Sequence, residues 1–156
     1  MSLEHELGLR KPITILPHEA LLNIYYTASR LKKQADEFFR GFGLTDVQFN
    51  VMMLLHYQSG PEGGLSQARL SDMMLVNRAN ITSLTDRMEK AELVVRTASA
   101  DDRRYNIIKM TRRGRRLFGR VEPLYAKRIQ KIMTPFKQAE QKRLVSMLER
   151  IRSKLA

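Results

Sequence analysis

The stretch Val76–Met110 reads V-N-R-A-N-I-T-S-L-T-D-R-M-E-K-A-E-L-V-V-R-T-A-S-A-D-D-R-R-Y-N-I-I-K-M. Ile81, Leu84 and Met88 fall at i, i+3 and i+7, which gives a helix one apolar stripe. Its opposite face carries Arg78, Asn80, Thr82, Ser83, Asp86, Arg87 and Lys90. Val94–Thr97 and Tyr105–Met110 are strand-rich by propensity, and the polar run Ser99–Arg104 links them as a turn. A helix with a polar outer face, followed by a basic hairpin, suits the gripping of duplex DNA. The rest of the chain is expected to position two copies of this stretch.

Working outward, Ser66 caps a short helix from Gln67 to about Leu75, with Leu70, Met73 and Met74 turned inward. Asn77 opens the next helix, either as its cap or as a base-contacting group. Two short helices joined by a three-residue turn, the second polar outside, make a helix-turn-helix. Upstream, Thr45-Asp46-Val47-Gln48 is a capping box that starts a helix through Phe49, Met52, Met53, Leu55 and His56 to about Gln58. Ser59–Gly64 reads as a loop. Before that, Pro17-His18-Glu19 opens a long helix whose apolar residues run from Leu21 to Phe39, and Gly41 and Gly43 end it. Residues 1–17 read as an arm without an independent fold.

Downstream, Thr111 caps a helix through Leu117, Phe118, Val121 and Tyr125 to about Met133, interrupted by Thr134-Pro135. Leu144, Leu148, Ile151 and Leu155 then lay a clean stripe along a last helix. The expected fold is mainly α with a small β-wing: a winged helix-turn-helix flanked by N- and C-terminal dimerisation helices. Its parts are an arm (1–17), a dimerisation helix (18–43), the DNA-binding lobe (44–111) and C-terminal helices for dimerisation (112–156). The outer helices are too long and apolar for so small a core and most economically pair with those of a second chain, giving a homodimer.

Composition narrows the function. The 156 residues carry a formal net charge of +12, with a pI of about 10.4. Such an excess points to an anionic partner, nucleic acid first and a membrane surface second. Between Arg96 and Arg120, nine basic residues against two acids leave +7 of the total, all but Lys109 of the nine being arginine. Arginine keeps its charge at any biological pH and matches phosphate geometry. The absence of cysteine excludes disulfides, thiolate metal sites and thiol redox sensing. No apolar run reaches the roughly 18 residues of a membrane span, and the N-terminus has no signal-peptide core, so a cytoplasmic protein without membrane association is expected. The chain shows no nucleophile–base pair, no metal-ligand cluster and no phosphate-cradling glycine loop, so no enzyme and no cofactor are expected.

These residues carry a family likeness. Leu44-Thr45-x-x-Gln48-Phe49-x-Val51-Met52-x-x-Leu55, Leu70-Ser71-x-Met73-Met74 and Ile81-Thr82-x-Leu84-x-x-Arg87-Met88-Glu89-Lys90-Ala91-x-Leu93-Val94 resemble the MarR family of bacterial transcription regulators. So does Asp102-Arg103-Arg104-x-x-x-Ile108-x-Met110-Thr111-x-x-Gly114. The resemblance covers about residues 19–155. It implies a triangular homodimer with interlocked terminal helices and two winged lobes on a pseudo-palindromic operator, usually as a repressor. It also implies release by a small aromatic or anionic effector. Two departures stand out. Glu92 occupies the position where the family pattern has glycine, and the wing is unusually acidic, with Asp101 beside Asp102.

Roles follow. In helix-turn-helix docking the first turns of the second helix enter the major groove, so Arg78, Asn80, Thr82 and Ser83 are candidate base readers. Arg78 matches guanine O6 and N7, and Asn80 matches adenine N6 and N7. Arg87, two turns on, is placed to reach phosphate. By resemblance Arg104 is the wing-tip arginine that enters a minor groove, with Asp102 orienting its guanidinium, and Arg103 binds backbone. Arg112, Arg113, Arg115 and Arg116 either attract phosphate or pair with acids at the dimer base. An effector pocket implied by the resemblance falls near Tyr25, Arg30, Met53, His56 and Tyr57, although His56 on an apolar helix also reads as a satisfied core histidine. Against sequence-specific regulation stands one alternative: an architectural winged-helix protein that binds DNA without sequence preference.

Overall fold

The computed structural model describes residues 2–61, 63–74, 78–99 and 106–155. Helix α1 (Leu3–Leu7) is followed by α2 (Leu16–Arg40), α3 (Asp46–Tyr57), strand β1 (Leu65–Ser66), α4 (Gln67–Met74), α5 (Arg78–Lys90), β2 (Val94–Ala98), β3 (Asn106–Met110), α6 (Arg112–Met133) and α7 (Gln138–Arg152). Helices flank a small three-stranded antiparallel sheet of order β1-β3-β2. The β2–β3 pair runs in the register Val94↔Met110 to Ala98↔Asn106, and β1 adds Leu65↔Ile108 on the far side of β3. This is the mainly helical architecture with a β-wing that the sequence predicts.

Two local features depart from the sequence reading. The stretch expected as an arm contains α1, with Leu3 buried and the Ile13 amide donating to the Glu4 carboxylate at 2.7 Å. The third strand, β1, was not predicted, because two residues are too few to show a period. Its approach depends on Gly64, where a Cβ would lie 2.4 Å from the Ile108 carbonyl oxygen.

Capping chemistry sets the helix boundaries. The Thr45 hydroxyl accepts from the Gln48 amide at 3.2 Å and the Gln48 side chain accepts from the Thr45 amide at 2.9 Å, the reciprocal capping box of α3. Ser66 accepts from the Arg69 amide at 3.2 Å, and the Lys137 amide donates to Glu140 at 2.7 Å to open α7. Gly43, at φ +71°, lets the chain reverse after α2, and the Leu44 amide closes on the Phe39 carbonyl at 3.1 Å. Glu92 takes φ +57°, the left-handed conformation itself, after α5. The Leu93 amide reaches back to the Met88 carbonyl at 2.9 Å and the Glu92 amide to Glu89 at 2.9 Å. The helix therefore ends as a glycine-terminated helix would, with a glutamate in the glycine's place.

The core lies in the lobe. Phe39, Phe49, Val51, Met52, Leu70, Ile81, Met88, Ile108 and Val121 are fully buried. They come from the last turns of α2, from α3 to α5, from the central strand and from the first half of α6. Phe39 stacks on Phe49 with ring centroids 4.4 Å apart, and Phe49 on Phe118 at 5.6 Å. Tyr125 packs against Phe39 at 4.8 Å, and burial raises its phenol pKa above the ordinary range. The outer helices differ. Within α2 only Ala35 and Phe39 are buried, and α7 buries nothing.

Candidate nucleic-acid interface

The apolar stripe of α5 is turned wholly inward: Ile81, Leu84 and Met88 are at most 5% exposed. This fixes the helix's rotation, so Asn80, Thr82, Ser83, Asp86, Arg87 and Lys90 face outward, all exposed. Arg78 is the first residue of α5; its side chain, like Asn77, lies outside the described residues. Asn80, Ser83 and Arg87 share a cleft of about 400 Å³ with Thr45 and Val47 at the start of α3. The Arg87 Nε donates to the Ser83 carbonyl at 3.2 Å, which lays the guanidinium along the helix. Four of the predicted reading and phosphate-contacting residues (Asn80, Thr82, Ser83 and Arg87) are therefore exposed, and three of them, Asn80, Ser83 and Arg87, line one cleft.

The hairpin β2–β3 rises beside this helix. Asp102, Arg103 and Arg104, which fall between β2 and β3 in the sequence, lie outside the described residues. Arg96, midway along β2, is turned to acids of α5, although its place in the +7 segment suggested a cation facing phosphate. Its guanidinium meets Glu89 at 2.5 Å, Asp86 at 2.6 Å and the Thr85 hydroxyl at 2.6 Å, and its side chain is only 19% exposed. Its backbone amide also donates to Glu89 at 3.0 Å. A strand arginine facing a helix with acids three residues apart is drawn inward by two carboxylates rather than outward to phosphate.

The other cations divide. Arg113 pairs with Glu92 at 2.9 Å, and Arg115 donates to the Met110 carbonyl at 2.5 Å. Arg112 and Arg116 are exposed. Arg116 and Arg120 border a cleft with Phe42 and Leu117, with the Arg120 guanidinium 5.8 Å from the Phe42 ring centre. Arg113 is thus drawn to an acid and Arg115 to a backbone carbonyl, while Arg112 and Arg116 face solvent.

Sequence reasoning missed Thr85 and Gln67. Thr85 is fully buried, and its hydroxyl donates to the Ile81 carbonyl at 2.9 Å. The Gln67 side-chain amide donates to the hydroxyls of Thr82 at 3.4 Å and Thr85 at 3.3 Å. The signal was present: Thr85 lies four residues after Ile81, on the inward side of the stripe, where a polar group needs a partner.

The candidate effector residues fall in three places. His56 is exposed rather than a core histidine; its ring lies 4.6 Å from that of Tyr57 and 4.7 Å from that of Phe118. The Tyr57 hydroxyl donates to Glu122 at 3.1 Å, and this bond raises the phenol pKa. Met53 lines a groove of about 350 Å³ with Asn50, Leu54, Met73 and Met74. Tyr25, 71% exposed, and Arg30, also exposed, project from α2. Among the described residues, no hydrogen bond or ring contact joins them to the other three.

Residues 42–104 match the model of the MarR family. The chain is 28% identical over 109 residues to the HTH-type transcriptional regulator MhqR of Bacillus subtilis, covering 70% of this chain and 72% of that one. It is 26% identical over 125 residues to the HTH-type transcriptional regulator PecS of Dickeya dadantii, covering 80% and 75%. In fold it is similar to AbsC, a MarR family transcriptional regulator from Streptomyces coelicolor, with a TM-score of 0.83 at 20% identity over 93% of this chain and 97% of that one. It is also similar to MepR of S. aureus in complex with DNA, with a TM-score of 0.77 at 19% identity over 85% and 94%.

Proposed function

We propose that this chain is a MarR-type winged helix-turn-helix, DNA-binding transcriptional regulator, a reading supported by the match of residues 42–104 and by its similarity to HTH-type regulators, and that it binds a pseudo-palindromic duplex operator as a homodimer and represses transcription. The observation that carries this reading is the outer face of α5. Asn80, Thr82, Ser83 and Arg87 are exposed together while every residue of the apolar stripe is buried. Such a helix can present amide and hydroxyl groups to base edges in a major groove, each good bidentate pair worth roughly 1–3 kcal/mol of discrimination. Arg78 joins them from the first turn. Arg104 enters the flanking minor groove, Asp102 orients it, and Arg103 and Arg112 hold phosphate.

Support for the homodimer comes from the apolar groups that the single chain leaves uncovered. Leu21, Tyr25 and Leu31 on α2, Ile129 on α6, and Leu144, Val145 and Met147 on α7 are each more than 40% exposed. A small aromatic or anionic effector relieves binding from the junction of these helices with the lobe, where Tyr25, Arg30, Met53, His56 and Tyr57 are the candidate contacts. The protein works in the cytoplasm. Among the described residues, no helix is long and apolar enough to cross a membrane.

The experiment that tests the reading is selection of bound sites from a random duplex pool, followed by competition against scrambled duplex. An enriched two-fold-symmetric motif that outcompetes scrambled DNA supports the regulator. Equal affinity for every sequence sinks it in favour of the architectural alternative.

A further inference from the structure

We propose that Arg96 is a positioning residue that sets the angle between the recognition helix and the wing, and through that angle the sequence preference of α5. The inference rests on reading α5 as the base-reading helix. Arg96 stands in the middle of β2, paired with Ile108 of the central strand. Its planar guanidinium spans three groups on one side of α5: the Thr85 hydroxyl, Asp86 and Glu89. Its backbone amide takes the second oxygen of Glu89. Strand and helix are thus joined by five hydrogen bonds from one residue, four of them from one rigid fork, which also reaches the Thr82 carbonyl at 3.5 Å.

The network continues to the reading surface. Thr85, which accepts from Arg96, also accepts from Gln67 of α4, and Gln67 donates in turn to Thr82. Gln67 follows directly on Ser66 of β1, which pairs with the central strand. One polar chain therefore runs from the wing through the buried Thr85 hydroxyl to α4 and to a hydroxyl on the outer face of α5. Low exposure strengthens its centre: the Arg96 side chain is 19% exposed and Thr85 is fully buried, so water competes poorly for the bond between them, while the Asp86 side chain at 51% exposed remains open to solvent. Apolar packing beneath α5 fixes which face points inward. It does not fix the tilt of the helix toward the hairpin as sharply as directional bonds do.

A second consequence concerns charge. Asp86 and Glu89 lie on a helix that approaches phosphates, where bare carboxylates would repel them. Arg96 neutralises the cluster while pointing away from the DNA. It contributes no phosphate contact of its own.

The test uses the full-length homodimer. The chain has no cysteine, so Ala79→Cys on α5 and Ala98→Cys on β2 allow a spin-label pair, diluted with unlabelled protein so that only the intrachain distance is read. The wild-type distance distribution is expected to be narrow, and Arg96→Ala to broaden or shift it with the melting transition still cooperative. Arg96→Lys should fail to restore it, because an ammonium is a single point of donation and cannot span three acceptors in a plane. In parallel, the affinity ratio for the selected duplex over scrambled duplex should fall about tenfold or more in Arg96→Ala, by analogy with loss of one base contact. The dependence of log affinity on log salt should keep its slope. An unchanged distance distribution, a retained affinity ratio, or a slope reduced by about 1, as for a lost phosphate contact, each overturns the proposal. Wild-type protein with no preference for any duplex instead sinks the sequence-specific reading, and the distance measurement then decides the coupling by itself.

Discussion

The Thr111 hydroxyl donates to the carbonyl oxygen of Glu92 at 2.6 Å and accepts from the Gly114 amide at 2.9 Å. One side chain therefore caps α6 and holds the residue on which the recognition helix ends. The Thr111 amide adds a bond to the Leu93 carbonyl at 3.1 Å. The end of α5 and the start of α6 therefore form one hydrogen-bonded joint.

At that joint Glu92 is strained. A non-glycine residue in the left-handed region costs about 1 kcal/mol. The pair with Arg113 offsets little of this, because both side chains are mostly exposed, 62% for Arg113 and 74% for Glu92. Glu92→Gly is expected to raise stability by about 0.5–1 kcal/mol, measured by urea denaturation, while Glu92→Ala, which keeps the strain and loses the pair, should not. A destabilised glycine variant would mean that the ion pair outweighs the backbone strain.

Gly114 faces the opposite constraint. A Cβ there would lie 2.1 Å from the Leu93 carbonyl oxygen and 3.1 Å from its carbon. Both are backbone atoms of the joint and cannot swing aside. Gly114→Ala is expected to cost roughly 2–3 kcal/mol and to weaken operator binding by forcing α6 from α5. A shift in the denaturation midpoint reads the first effect, and an unchanged midpoint would show that the joint opens at little cost.

Much of this was legible in the sequence for physical reasons that differ by element. The stripe Ile81, Leu84, Met88 gave α5 its inward face because burial obeys the helical period. The Thr45–Gln48 and Thr111–Gly114 starts were legible because capping is local chemistry. Arg96 was misread because its partners, Asp86 and Glu89, lie on a different element, and charge counting does not record which cations are already paired. The left-handed turn at Glu92 was hidden because its support, Thr111, lies 19 residues along the chain. Strand β1 was hidden because its pairing with Ile107 and Ile108 is entirely non-local.

The division of the cations can be measured through salt. Arg112 is exposed at the head of α6, so Arg112→Ala should weaken binding evenly across sequences and lower the log–log salt slope by about 1. Arg104→Ala should weaken binding most where the flanks are A·T-rich, since a narrow minor groove concentrates negative potential. Titrations on duplexes that differ only in their flanks check this. A loss independent of the flanks would make Arg104 an ordinary phosphate contact, and a salt response that is flat in the wild type would remove the electrostatic basis of the reading.

The last helix carries the oligomerisation prediction. Leu144, Val145 and Met147 of α7 are 45%, 53% and 47% exposed, and Leu155 just beyond it is 80% exposed. The lobe's core takes nothing buried from α7, so charge placed on its stripe should leave the lobe folded. Leu144→Glu combined with Leu148→Glu is therefore expected to shift sedimentation from dimer to monomer while the lobe still melts cooperatively. Operator affinity should fall by a hundredfold or more, on the order of the gain that linking two binding modules confers. Affinity for a single half-site should change little. Wild-type protein sedimenting as a monomer, or a double variant that remains dimeric, would show that these apolar faces do not form the dimer.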